Sequence, residues 1–115
     1  MKIISLDKVE KKKVNMEGAD GAWKQIPLGS KDGVPVYSLR VFTVEPGGHT
    51  PYHSHPYEHM NYIIDGEGAL VNEKEEEFPV KTGDFALVDP GEKHQYRNKG
   101  DKPFIIICGV PKEFE

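Results

Sequence analysis

The chain has 115 residues, 37% hydrophobic and 30% charged, with 15 basic against 19 acidic side chains and a net charge of −4. That length supports one core rather than two, and the acidic balance leaves no broad basic surface for nucleic acid. The longest apolar runs, such as FIIIC at 104–108, are far too short for a membrane-spanning helix.

The opening, MKIISLDKVEKKK, has no apolar stretch long enough for a secretory signal. A single cysteine, Cys108, excludes a disulfide within the chain and suits a reducing compartment. The expected address is cytoplasmic. The one basic cluster, Lys11 to Lys13, reads as a solvated strand or turn.

Twelve glycines and nine prolines punctuate the sequence, and no stretch sustains a helical apolar period. Between them lie short runs rich in β-branched and aromatic residues. KIISL at 2–6 and GAWKQIPLG at 21–29 are two candidate strands, followed by the Asp-Gly turn of SKDGVP at 30–35. VYSLRVFTV at 36–44 is the clearest strand. HMNYIID at 59–65 and GALVN at 68–72 flank the tight turn DGEG. The acidic NEKEEEF at 72–78 reads as a solvated hairpin tip. FALVD at 85–89 follows the turn KTGD, and HQYRN at 94–98 and FIIICGV at 104–110 complete the set. Many short strands at such spacing indicate an all-β sandwich or barrel, one domain over 1–115.

Four of the five histidines fall within HTPYHSHPYEH at 49–59, and the fifth is His94. A helix cannot present them together, because Pro51 and Pro56 would break it and side chains two apart diverge. On a strand His53 and His55 share a face, and His59 has the same parity. His94, after the turn PGEK, can close the set from another strand. Imidazoles suit divalent manganese, iron, nickel, copper or zinc. From the residues alone, a shared cation and a merely polar loop both stand.

Two spacings resemble the motifs of the cupin superfamily. In the first, Gly47 is followed after five residues by His53-Ser54-His55, then after three by His59 and after six more by Gly66. In the second, Gly83 leads after five residues to Asp89-Pro90-Gly91, then His94 and Asn98. The two motifs cover 47–66 and 83–98. Asp89 stands at a proline position of the second motif, which alters only the turn. His59 stands where the family's glutamate ligand usually is, and Glu58, one residue early, has the wrong parity to replace it.

The resemblance implies a cupin jelly-roll β-barrel with a four-histidine metal site: His53, His55, His59 and His94. His49 falls outside the motif and is expected near the mouth or on the surface. Manganese or iron is the expected ion, although zinc, nickel and copper also suit imidazole. Four neutral ligands leave the divalent charge uncompensated, so the site should attract anionic or carbonyl oxygens.

Strand parity places Arg40, Tyr96 and Cys108 on the same inner faces. Arg40 there has two roles open to it, a carboxylate contact or a snorkelling edge residue. Core packing is the preferred role of Tyr96 and Cys108, and turn-fixing that of Asn98.

The function implied is a metal-dependent, dioxygenase-like oxidoreductase acting on a small organic molecule. A non-catalytic module for metal or ligand is the alternative, and a sugar-phosphate isomerase ranks lower because no well-placed base is visible. As in other small cupins, a homodimer is expected, with Trp23 either pairing with a neighbour or plugging its own barrel.

Overall fold

The computed structural model describes residues 1–115. Nine strands form one curled sheet: β1 (Lys12–Lys13), β2 (Asp20–Leu28), β3 (Tyr37–His49), β4 (His59–Asp65), β5 (Glu67–Val71), β6 (Glu77–Lys81), β7 (Phe85–Val88), β8 (Gln95–Arg97) and β9 (Phe104–Pro111). The spatial order is β6-β5-β8-β3-β9-β4-β7, with β2 also paired to β3 and β1 to β2. Every named pair is antiparallel. The expected all-β jelly roll is therefore the fold.

The thirteen-residue β3 does the most to curl it. Tyr37 to Val44 pair with β9, while His49 pairs with Arg97 of β8, so one strand serves both halves of the barrel. The chain bends between, at Glu45 to Gly48. A Cβ on Gly48 would stand 2.6 Å from the Asp20 carbonyl oxygen, so only glycine lets β2 pass this closely. Gly66, in the β4–β5 turn, has φ +80 and lies against the Pro103 backbone.

Period-two patterning sets what is inside. On β9, Phe104, Ile106, Cys108 and Val110 are all buried while Ile105 and Ile107 are half-exposed. Val44, Ile63, Tyr96, Phe104 and Ile106 form the core cluster, with Leu70 and Val80 against it. Full burial of a side chain like Phe104 stabilises by roughly 1.5–3 kcal/mol.

Two expectations fail. KIISL forms no strand: the chain is irregular there and makes a short 3₁₀ turn at Leu6–Lys8. Ile3 is 89% exposed, and with no partner strand its β propensity has nothing to pack on. The acidic 72–78 segment is a hairpin tip only as far as Glu76, because Glu77 begins β6, which pairs with β5 in register Glu67↔Lys81 to Val71↔Glu77. An edge strand tolerates charge, and hence the apolar signal was thin. Trp23, half-buried, belongs to neither the core cluster nor the cavity lining and so does not plug the barrel.

Candidate metal centre

Three elements bring the imidazoles together. His59 opens β4, His94 immediately precedes β8, and His53 and His55 lie on the loop between β3 and β4. His53 and His94 form an isolated antiparallel bridge, with backbone bonds of 3.1 and 2.9 Å. The loop thereby gains strand geometry for one residue pair, which aligns the two rings.

The ligand nitrogens of His53, His55 and His94 lie within 4.8 Å of one another. Two nitrogens on one ion stand at most ~4.2 Å apart when each bond is ~2.1 Å. Small side-chain rotations close that difference. His59 stacks on His55 with ring centroids 4.3 Å apart and lies 5.3 Å from the His94 ring. Its Nε2 lies 3.2 Å from Arg40 Nη2, and His59 falls outside the group of three whose nitrogens lie within 4.8 Å. The structure thus assembles three histidines and sets the fourth beside them.

Hydrogen bonding prepares the rings for a cation. His55 Nδ1–H donates to the Tyr57 carbonyl and His94 Nδ1–H to the Glu92 carbonyl, both at 2.8 Å. Each bond fixes the tautomer in which Nε2 carries the lone pair. His55 Nε2 is buried and has no hydrogen-bond partner, an orphan that a metal ion would satisfy. Tyr57 further clamps the His55 ring, stacking on it at 4.0 Å and on Phe114 at 4.2 Å.

Electrostatics agree. Burial lowers His53 to about 4, with help from His94, His55 and Arg40, and lowers His59 to about 2, with Arg40 next. His55 and His94 are also lowered, first by burial. Neutral imidazoles are the form that binds metal.

The histidines open into a cavity of about 330 Å³ whose lining includes Met16, Arg40, Phe42, Tyr57, Tyr96 and Ile106. No aspartate or glutamate lines it, and Glu58 in particular is outside. His49 is also outside, bonded to Gln95 and Thr50. Arg40, Tyr96 and Cys108 are buried and line the cavity, in accord with parity. Tyr96 belongs equally to the core, and its oxygen accepts from Asn61 Nδ2 at 2.7 Å, which leaves its own O–H free to donate. Asn98 ties down a turn, bonding the Val44 and Lys102 carbonyls and the Gly100 N–H. Sequence reasoning missed Tyr57, although it sits among the histidines. It also missed the segment 12–16, which closes one wall; no apolar pattern marks that segment.

A jelly-roll barrel with histidines gathered inside its mouth defines a class, the small β-barrel proteins that can hold a metal. Residues 40–110 match the Cupin domain family, and the chain belongs to it. It is similar to the oxalate-binding protein of Thermotoga maritima, 31% identical over 99 residues, 81% of this chain and 80% of that one. Gentisate 1,2 dioxygenase 1 of Aquipseudomonas alcaligenes is 32% identical over 65 residues, 56% of this chain. The chain spans only 19% of that dioxygenase. Among solved structures, the polyketide cyclase RemF from Streptomyces resistomycificus superimposes with a TM-score of 0.91 at 26% identity, covering 96% of this chain and 79% of that one.

Proposed function

We propose that the protein is a metal-dependent oxidoreductase of dioxygenase type, acting on a small organic substrate bound in the barrel cavity. The orphaned Nε2 of His55, beside two imidazoles whose nitrogens are within reach of it, carries this reading. His53, His55 and His94 would hold the ion, manganese or iron, and His59 would join as fourth ligand once its nitrogen turns from Arg40. Such an ion supplies Lewis acidity and open positions for oxygen donors. Phe42, Ile106 and Met16 enclose the apolar body of the substrate and exclude water. An isomerase is disfavoured because no carboxylate lines the cavity to act as base.

Protein purified without an affinity tag should contain about one manganese or iron per chain. It should take up oxygen with gentisate or a related phenolic acid, and His53→Ala should lose both properties while staying folded. A metal-free protein that works at full rate, or a chain that takes up no divalent ion, overturns the reading.

A second reading, a non-catalytic binder of a small acid, is favoured by the likeness to the oxalate-binding protein across most of both chains. Recovery of bound ligand unchanged after prolonged aerobic incubation would select it.

Either reading extends to the single domain over 1–115, a cytoplasmic setting and a homodimer. Leu39, Met60 and Leu87 are exposed and lie in one row across β3, β9, β4 and β7, meeting at Gly109. Phe85, 80% exposed, extends the apolar face at the β7 edge, and a second copy is its proposed cover.

A further inference from the structure

Arg40 is the least compensated charge in the molecule. It is only 6% exposed, so its guanidinium does not snorkel to solvent. None of the four ion pairs includes it: these are Lys2–Asp32, Lys12–Glu10, Arg97–Glu77 and Lys99–Glu77. Its Nη2 contacts two neutral groups, His59 Nε2 at 3.2 Å and Cys108 Sγ at 3.0 Å. Its Nε is buried with no partner at all. The Phe42 ring beneath it, 5.1 Å away, offers a weak quadrupole and no charge.

A buried cation without a counter-charge is costly, and natural proteins keep such groups paired. The cavity cannot supply the partner, since its charged lining is Lys12, Lys13, Lys24 and Arg40. Lys24 is already engaged, donating to the Glu115 main-chain oxygen at 3.0 Å. The absence of acid from this lining is notable in a chain of net charge −4. Arg40 thus has an unmade bond, buried at its Nε, and an unmet charge on a residue that lines the cavity.

We infer that Arg40 is an anion-binding residue that selects substrates carrying a carboxylate. The inference deepens the proposed function and rests on the cavity being the substrate site. A planar guanidinium and a carboxylate match through parallel N–H···O bonds, which lysine cannot reproduce. The substrate class is an organic acid whose apolar body fits against Phe42 and Ile106. His59 links this residue to the metal centre: its Nε2 can serve the ion only by giving up Arg40. A carboxylate arriving at Arg40 replaces that lost acceptor and screens the two positive charges from each other. Metal and acid should therefore bind with positive coupling, equal in both directions.

The test uses the full chain and two matched probes, benzoate and its neutral isostere benzamide, by titration calorimetry. Each is titrated into metal-free and Mn(II)-saturated protein, wild type and Arg40→Gln, with Mn(II) titrated separately. Benzoate should bind wild type at least tenfold tighter than benzamide does, and tighter still with Mn(II) present. Arg40→Gln should lose at least tenfold for benzoate, keep its weak benzamide binding, and take up Mn(II) as well as wild type or better. If that variant fails to fold, Arg40→Lys, which keeps the charge without the fork, should show an intermediate loss. Equal binding of benzoate and benzamide, or of benzoate to both proteins, overturns the inference, as does benzoate that binds neither. Failure of wild type to take up Mn(II) while benzoate still depends on Arg40 defeats the metal reading alone.

Discussion

His53 and His94 face each other through two backbone hydrogen bonds, His53 N–H to His94 O at 3.1 Å and His94 N–H to His53 O at 2.9 Å. Their rings sit 5.2 Å apart as a consequence. The main chain does the aligning, so either imidazole can be removed without dismantling the bridge. His94→Ala and His53→Ala should each retain a wild-type far-ultraviolet dichroism spectrum and lose Mn(II) affinity by roughly 100-fold or more, beyond the usual effect of an outer-sphere partner. His49→Ala should bind Mn(II) like wild type. A His94 variant with undiminished affinity would remove that residue from the site.

His59 tests a finer point, whether three ligands suffice. Its Nε2 is turned to Arg40, so it would have to reorient to reach an ion held by His53, His55 and His94. His59→Ala should therefore weaken Mn(II) binding less than His53→Ala, by roughly tenfold. Equal losses at both positions would show that four ligands act as one set.

Metal and proton compete for the same lone pairs, and the metal-free protein already favours the neutral form. Burial is the first cause of the lowered values at His53, His55, His59 and His94. The unfolded chain therefore binds more protons below the ordinary histidine value of about 6.5, so folding stability rises with pH in that range. The contribution is complete above 6.5 and is lost as pH falls toward the folded values, about 4 for His53 and about 2 for His59. Urea midpoints of metal-free protein should fall between pH 7 and 5, above the range where the carboxylates titrate. Saturating Mn(II) at pH 7 should raise the thermal midpoint, since a ligand at 100 times its Kd adds about 2.7 kcal/mol. A flat midpoint over that pH range would mean that the rings are more accessible to solvent than the fold places them.

Much of this was legible in the sequence, for identifiable reasons. Alternation on FIIICGV indicated which β9 side chains turn inward, and the same parity placed Arg40 and Cys108 on inner faces, which the structure sets in register with each other. Strand periodicity is local, and a single buried face is enough to determine it. The three-dimensional partners were not legible. That His59 would meet Arg40 depends on β4 and β3 both flanking β9, a topological fact that spacing does not encode. The edge strand β6 leaves little trace in the sequence because half-solvated strands need little apolar residue content, as Glu77 and Lys81 at its ends illustrate. The wall formed by 12–16 was invisible because lysines lining a cavity look, in sequence, like lysines in water.

Asn61 and Tyr96 form the polar join between cavity and core. Asn61 Nδ2 donates to the Tyr96 oxygen at 2.7 Å, and Asn61 Oδ1 is buried without a partner. Burial raises the Tyr96 hydroxyl pKa, so the phenol stays neutral throughout the working range. Tyr96→Phe strips Asn61 of its acceptor as well and should cost ~1–3 kcal/mol in urea unfolding. Adding Asn61→Leu should restore much of that loss, because replacing both partners by apolar groups leaves nothing unsatisfied. A single variant as stable as wild type would show that water already serves both groups.

The row of Leu39, Met60 and Leu87 makes the last prediction specific to one face. Met60 pairs with both Leu87 and Gly109, and Leu39 pairs with Gly109 from the other side. Leu87 is 58% exposed, so a charge at this position costs the isolated fold little. In an interface the same charge would be buried unpaired, at a cost of several kcal/mol. Leu87→Glu should accordingly elute as a 12.9 kDa monomer with unchanged Mn(II) affinity, while wild type elutes at twice that mass. A wild-type monomer, or a dimer indifferent to Leu87→Glu, would assign the apolar row some other role.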